Sequence, residues 1–131
     1  MKEVNPQETS RASAFDLWMT SPMPMVTLTK TFDITRIHKA SKRKHIKLNA
    51  LICWCIGKAA NQVEEFYMLP VQGKMYQFDN LAINVIVNNK KGGINSCDIP
   101  YTNDLNRFYE DYIQLTQSVS ESCESTFIED A

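Results

Sequence analysis

Phe32 to Asp79 reads FDITRIHKASKRKHIKLNALICWCIGKAANQVEEFYMLPVQGKMYQFD, and its changes of pattern set the fold class. Its first residues close a strand. Asp33 or Thr35 then caps a basic helix from Arg36 to about His45, since a side-chain oxygen satisfies the free N–H groups at a helix start. Leu48, Leu51, Ile52, Cys55, Ile56, Ala59, Ala60 and Val63 recur at helical spacing. They predict a helix from Leu48 to Glu65 with one broad apolar stripe and Asn49 near its start. Pro70 and Gly73 mark a turn between Tyr67-Met68-Leu69 and Lys74–Phe78, which is a hairpin pattern.

Toward the N-terminus, residues 1–9 are polar and read as frayed. Ser10 is placed to cap a short helix through Trp18, with Ala14, Phe15 and Trp18 on one stripe. Ser21-Pro22-Met23-Pro24 ends it, because two prolines cannot continue a helix. From Met25 to Ile34, Val26, Leu28 and Phe32 alternate with Thr27, Thr29 and Thr31, which predicts a half-buried strand.

Toward the C-terminus, Leu81, Ile83, Val85 and Val87 make one apolar face of a strand. Asn88 to Gly93 is a turn, and Ile94 to Ile99 returns as the partner. Asn103 or Asp104 caps a last long helix with Leu105, Phe108, Tyr109, Tyr112 and Leu115 inward. The tail is acidic, and Phe127-Ile128 is a candidate strand start. Helices mixed with hairpin strands predict an α+β layer fold, and 131 residues predict a single domain over 1–131.

The formal net charge is −1, so no global field steers the chain toward nucleic acid or a membrane. No apolar run approaches the ~20 residues that span a bilayer. MKEVNPQETSR has no apolar signal-peptide core, and a cytoplasmic protein is expected. Cys53, Cys55, Cys97 and Cys123 have no metal-ligand spacing, so no metal is expected. They read as reduced, with Cys55 in the core.

The ordered series of short matches resembles the N-terminal half of the chloramphenicol acetyltransferase family. Arg11 with Phe15 resembles its opening, and Phe32-Asp33-Ile34-Thr35 its first strand-to-helix junction. Lys47-Leu48 and Ala60-Asn61-Gln62 resemble the bounds of its central helix. Glu65-Phe66, Met68 and Phe78-Asp79 resemble its hairpin, and Ile99-Pro100-Tyr101, Asp104 and Phe108 the approach to its later helix. The resemblance runs from Arg11 to about Ser122. It implies a two-layer mixed-sheet sandwich of the CoA-dependent acyltransferase type, here truncated, and assembly as a homotrimer.

It also implies a chemistry. In the family, a histidine within His-His-x-x-x-Asp-Gly takes a proton from the acceptor hydroxyl, whose oxygen attacks the thioester of acetyl-CoA. A serine hydroxyl helps stabilise the oxyanion. Neither the histidine motif nor the serine-bearing segment occurs in these 131 residues. The expectation is therefore a chain with no catalytic residue of its own, inactive alone, or completed by a separate chain. By the resemblance, Trp18, Val26 and Ile94 fall where the family lines its pocket for chloramphenicol or a similar small hydroxylated acceptor. Lys47 and Asn49 fall on the side facing acetyl-CoA, the co-substrate. Arg11 matches a structural arginine that pairs with the aspartate of the histidine motif, and without that partner it is expected to be solvated or buried unpaired. The alternative function is a non-catalytic module for oligomerisation or small-molecule binding.

Plainer readings stand beside these. Trp18 is either a pocket wall or a core tryptophan. Arg36, Lys39, Lys42, Arg43, Lys44 and Lys47 form a solvated helix face, or contact the phosphates of CoA or of nucleic acid. His38 and His45 lie in that polar segment beside no nucleophile, so neither is read as a base. Tyr101, Tyr109 and Tyr112 either bind a ligand ring or pack inward, and helical spacing favours core packing for Tyr109 and Tyr112.

Overall fold

The computed structural model describes residues 1–131. One strand, three helices, four strands and a last helix follow one another along the chain as an α+β fold with two small sheets. The first sheet holds β1 (Lys2–Val4), β2 (Met68–Val71) and β3 (Lys74–Gln77) in the order β1-β3-β2, all antiparallel. The second pairs β4 (Ala82–Asn88) with β5 (Ile94–Pro100). The helices are α1 (Ala12–Thr20), α2 (Thr35–Lys44), α3 (Leu48–Ala60) and α4 (Leu105–Ser122).

The N-terminus corrects one expectation. Residues 2–4 are ordered into a strand, with Glu3 opposite Tyr76 and Val4 opposite Met75. Glu3 also pairs with Lys74 at 2.9 Å. The partner is about seventy residues away, so local polarity carries no sign of it. The β2–β3 hairpin forms as expected. Gln72 and Gly73 both take positive φ (51° and 80°), the primed two-residue turn that matches strand twist. Pro70 sits within β2, which is tolerated because β2 is an edge strand.

The strand expected at Met25–Ile34 is absent; residues 21–34 have no helix or ladder. Leu28 is 91% exposed and Phe32 71%. Alternation fits a residue to a pleated surface, but a strand also needs a neighbour to complete its hydrogen bonds.

The main core lies between α3, α4 and the β4–β5 hairpin. Ala50, Leu51 and Cys53 pack with Val85, Cys97, Ile99, Phe108, Tyr112 and Val119. This is the expected inward face of β4. For α3 the stripe is different. The helix stops at Ala60 rather than Glu65, and the chain turns where Asn61 Oδ1 accepts from the Tyr67 hydroxyl at 2.6 Å. Its buried residues are Ala50, Leu51, Cys53 and Gly57, while Ile56 is exposed. Cys53, not Cys55, is therefore the core cysteine of this helix, and burial pushes its thiol pKa up. A second buried group, Met68, Met75 and Phe78, lies at the three-stranded sheet.

Asp104 caps α4 as expected, its carboxylate accepting from the N–H groups of Asn106 and Arg107. Beyond α4 the tail returns alongside β5. Thr126 N–H donates to the Ser96 carbonyl (3.0 Å), and Asp98 N–H donates to the Thr126 carbonyl (3.2 Å). Thr126 thus bridges parallel to Cys97. β5, α4 and the tail form the strand–helix–strand crossover that parallel pairing requires. No helix is long and apolar enough to cross a membrane.

Candidate functional site

The junction of α2 and α3 places Lys47 and Asn49. α2 ends in a Schellman arrangement. His45 adopts a left-handed φ of 55°, its N–H donates toward the Lys42 carbonyl, and Ile46 N–H reaches back to Ser41 O at 3.1 Å. Ile46 is buried just after the cap, and Ser41 Oγ donates to its carbonyl at 2.7 Å. Ser41 is thereby fully engaged in holding the turn.

Two tyrosines of α4 support the junction from below. The Lys47 N–H donates to the Tyr109 hydroxyl at 3.4 Å, and that hydroxyl donates to the His45 carbonyl at 3.5 Å. Asn49 Nδ2 donates to the Tyr112 hydroxyl at 3.0 Å. The inner stripe of α4 therefore packs the core and also steadies the start of α3. Asn49 is fastened by this bond, whereas the exposed Lys47 has no ion-pair partner.

Clefts open on both sides of Lys47. One, of about 440 Å³, lies between α4 and β4 and includes Lys90, Tyr112, Thr116 and Glu121. Lys90 and Glu121 approach to 3.6 Å. The hydrogen bond from Gln117 and the charge of Lys90 hold the Glu121 carboxyl below its ordinary pKa. The other cleft, of about 490 Å³, lies between the end of α2 and the start of α3 and includes His38, Lys42, His45 and Tyr109. Both clefts are open to solvent.

Trp18, Val26 and Ile94 are not gathered into these clefts. Trp18 is half-buried on α1 with Ala14 and Phe15, the stripe expected for that helix. Val26 is 64% exposed in the segment before α2, and Ile94 67% exposed at the start of β5. His38 and His45 are exposed, and neither is hydrogen-bonded to a nucleophile. No group of three or more His, Cys, Asp or Glu side chains comes together.

Arg11 takes neither of its expected states. It is half-buried and its Nη1 donates to two carbonyls, Glu65 at 2.9 Å and Met68 at 3.0 Å. It ties the start of α1 to the approach to β2. Beside it, Ser10 Oγ donates to the Glu65 carboxylate at 2.9 Å rather than capping α1. Glu65's own backbone N–H, this hydroxyl and the Arg11 charge hold the Glu65 carboxyl below its ordinary pKa. Backbone acceptors leave no mark in a sequence, so these partners had no signal to find.

Helices packed on a hairpin whose second strand leads through α4 to a parallel return define the two-layer α+β sandwich of the chloramphenicol acetyltransferase type. A family model described as chloramphenicol acetyltransferase matches residues 2–128, and the chain belongs to that family. A solved structure of a chloramphenicol acetyltransferase superposes with a TM-score of 0.75 at 16% sequence identity. The match covers 86% of this chain and 54% of the other, so the chain spans about half the length of that relative. No curated protein matches the sequence.

Proposed function

We propose that this chain supplies the cofactor-facing surface and part of the acceptor-facing surface of an acetyl-CoA-dependent O-acetyltransferase. The acceptor is a hydroxyl of chloramphenicol or a similar small molecule, and the working assembly is a cytoplasmic homotrimer. The family match over residues 2–128 carries this reading. Lys47 is the candidate contact for acetyl-CoA, with Asn49 beside it. Its support is a cationic side chain free of ion pairs at the meeting of two clefts. Trp18, Val26 and Ile94 are the candidate acceptor contacts, and Arg11 is structural.

In the reaction the family resemblance implies, a base removes the acceptor's hydroxyl proton, the oxygen attacks the thioester carbon, and CoA departs as the thiol with the acetyl group left on oxygen. His38 and His45 are both exposed, and no residue of this chain is assigned the proton transfer. Calorimetry of the purified chain with acetyl-CoA, with desulfo-CoA as a control, tests the cofactor reading. Micromolar binding is expected, weakened about tenfold by Lys47→Ala, the loss of one charge-assisted contact. No binding, or binding unchanged in the variant, overturns it.

A second reading is a non-catalytic association module, favoured by the exposed Met23, Met25, Val26, Leu28 and Phe32 between α1 and α2. Contiguous apolar surface drives association. On that reading, light scattering gives a mass that rises with concentration and falls back in the double variant Leu28→Lys, Phe32→Lys. A monodisperse monomer in both proteins contradicts it.

A further inference from the structure

The sheet edges of this chain are not equally guarded. An edge strand offers free N–H and C=O groups to any other strand, and proteins blunt such edges with short strands, lysine, proline or a covering segment. β1 has three residues and begins with Lys2. β2 has four and contains Pro70. β5 is covered by the tail at Thr126. β4 has seven residues, AINVIVN, with no charge and no proline, and its outer edge pairs with no strand.

The ladder fixes which groups that edge presents. Tyr101 N–H donates to the Leu81 carbonyl and Asn89 N–H to the Gly93 carbonyl, both at 2.9 Å. Bonded pairs alternate along an antiparallel ladder. Ile83, Val85 and Val87 therefore bond to β5, while Ala82, Asn84, Ile86 and Asn88 point their backbone groups outward. Of these outward groups only the Asn88 carbonyl is engaged, accepting from the Ser120 hydroxyl at 2.8 Å. Beside the edge lies the cleft of about 440 Å³ walled by α4, with Val87, Tyr112, Ile113 and Glu121 among its residues.

The same chain carries a strand pattern without a sheet. From Val26 to Asp33 no backbone N–H or C=O makes a hydrogen bond. Val26, Leu28, Lys30 and Phe32 alternate with Thr27, Thr29 and Thr31, and the three apolar side chains are exposed. Successive side chains of a strand lie on opposite faces. Seated on β4, the segment turns Val26, Leu28 and Phe32 to the face of Val85 and Val87, over the cleft. Its threonines then lie on the face of Asn84, Ile86 and Asn88. A slip of one residue would reverse both matches, so the pattern selects a register. Charge agrees as well, for Lys30 falls on the cleft side, where Glu121 is the one carboxylate.

We propose that residues 26–33 of one copy add as a strand to the outer edge of β4 in a second copy, with their apolar side chains over the α4 cleft. The proposal rests on the association reading and adds the place where the segment lands.

Photo-crosslinking tests it. Leu28→p-benzoylphenylalanine chain is mixed in equal amounts with isotope-labelled parent chain and irradiated. Position 28 of one copy is expected to join residues 82–88 of the other. Sedimentation supplies the second measurement. Ile86→Pro removes an outward N–H and leaves the bonds to β5 in place. Ile86→Lys blunts the same edge without changing the backbone, and decides the matter if the proline variant unfolds. Each is expected to weaken self-association at least about tenfold. If Leu28→Lys, Phe32→Lys abolishes association but both Ile86 variants keep it, the segment associates elsewhere; the docking site is then overturned and the association reading stands. Crosslinks confined to one copy, or joining position 28 to residues outside β4 and the α4 cleft, also overturn it. A parent chain that stays monomeric overturns both.

Discussion

Gly57 lies where the ring of Tyr101 crosses α3. A Cβ at this position would stand 2.5 Å from Tyr101 Cδ2 and 3.2 Å from Ile83 Cδ1. Two effects oppose each other on substitution. Alanine gains about 1 kcal/mol of helix propensity over glycine. Overpacking a fitted site costs about 1–3 kcal/mol. The contact is with the ring itself rather than a flexible end, so packing wins. Gly57→Ala is expected to lower the melting temperature in the parent chain and to raise it in a Tyr101→Ala background; additive effects in that double-mutant cycle would show that the ring does not press on α3. The same helix shows what the residues alone left open. LNALICWCIGKAA is apolar on nearly every side, so helical spacing identified a helix without saying which side turns inward. The stripe through Cys55 and Ile56 and the one through Cys53 and Gly57 are both consistent with the letters. Only the positions of α4, β4 and Tyr101 separate them.

Elements whose partners are close in sequence were the legible ones. The β2–β3 and β4–β5 hairpins follow from alternation around short turns, and α4 follows from its aspartate cap and inner stripe. Elements with distant partners were not. β1 read as a frayed end, and the alternation at Met25–Ile34 is real but finds no neighbour to pair with. The tail is intermediate, for its strand-like Phe127-Ile128 was visible but its pairing at Thr126 was not. That pairing has a consequence at this scale. The N–H of Ser96 donates to Ser125 Oγ, that of Asp98 to Thr126, and that of Ile128 to the Asp98 carboxylate. Removing residues 124–131 is expected to speed amide exchange at Ser96 and Asp98 at least tenfold, while the β5 amides bonded to β4 keep their protection. Equal acceleration along the whole strand would mean that the tail stabilises the hairpin generally rather than one edge of it.

For the molecule as a whole, charge is sorted rather than mixed. Residues 36–47 carry six of the 14 basic residues and no acid, so the rest of the chain holds eight against 15. The near-neutral total concealed this, and the basic run was visible but ambiguous. A solvated face and a ligand cleft share the same letters until α3 and Tyr109 close one side of α2. The candidate site was legible to that degree only. Lys47 and Asn49 were named from the family pattern, whereas their tyrosine supports and the histidines beside Lys47 depend on how α4 crosses beneath the junction.

The pairing of β1 with β3 also sets a clock. Glu3 meets Lys74, 71 positions later in the chain. A ribosome adding about 5–20 residues per second needs roughly 4–15 seconds to make that stretch. Through that interval β1 has no strand to pair with, while α1, α2 and α3 are made ahead of its partner. β1 thus waits several seconds for β3 to follow it, and a factor that grips residues 2–4 of the nascent chain has that interval in which to do so.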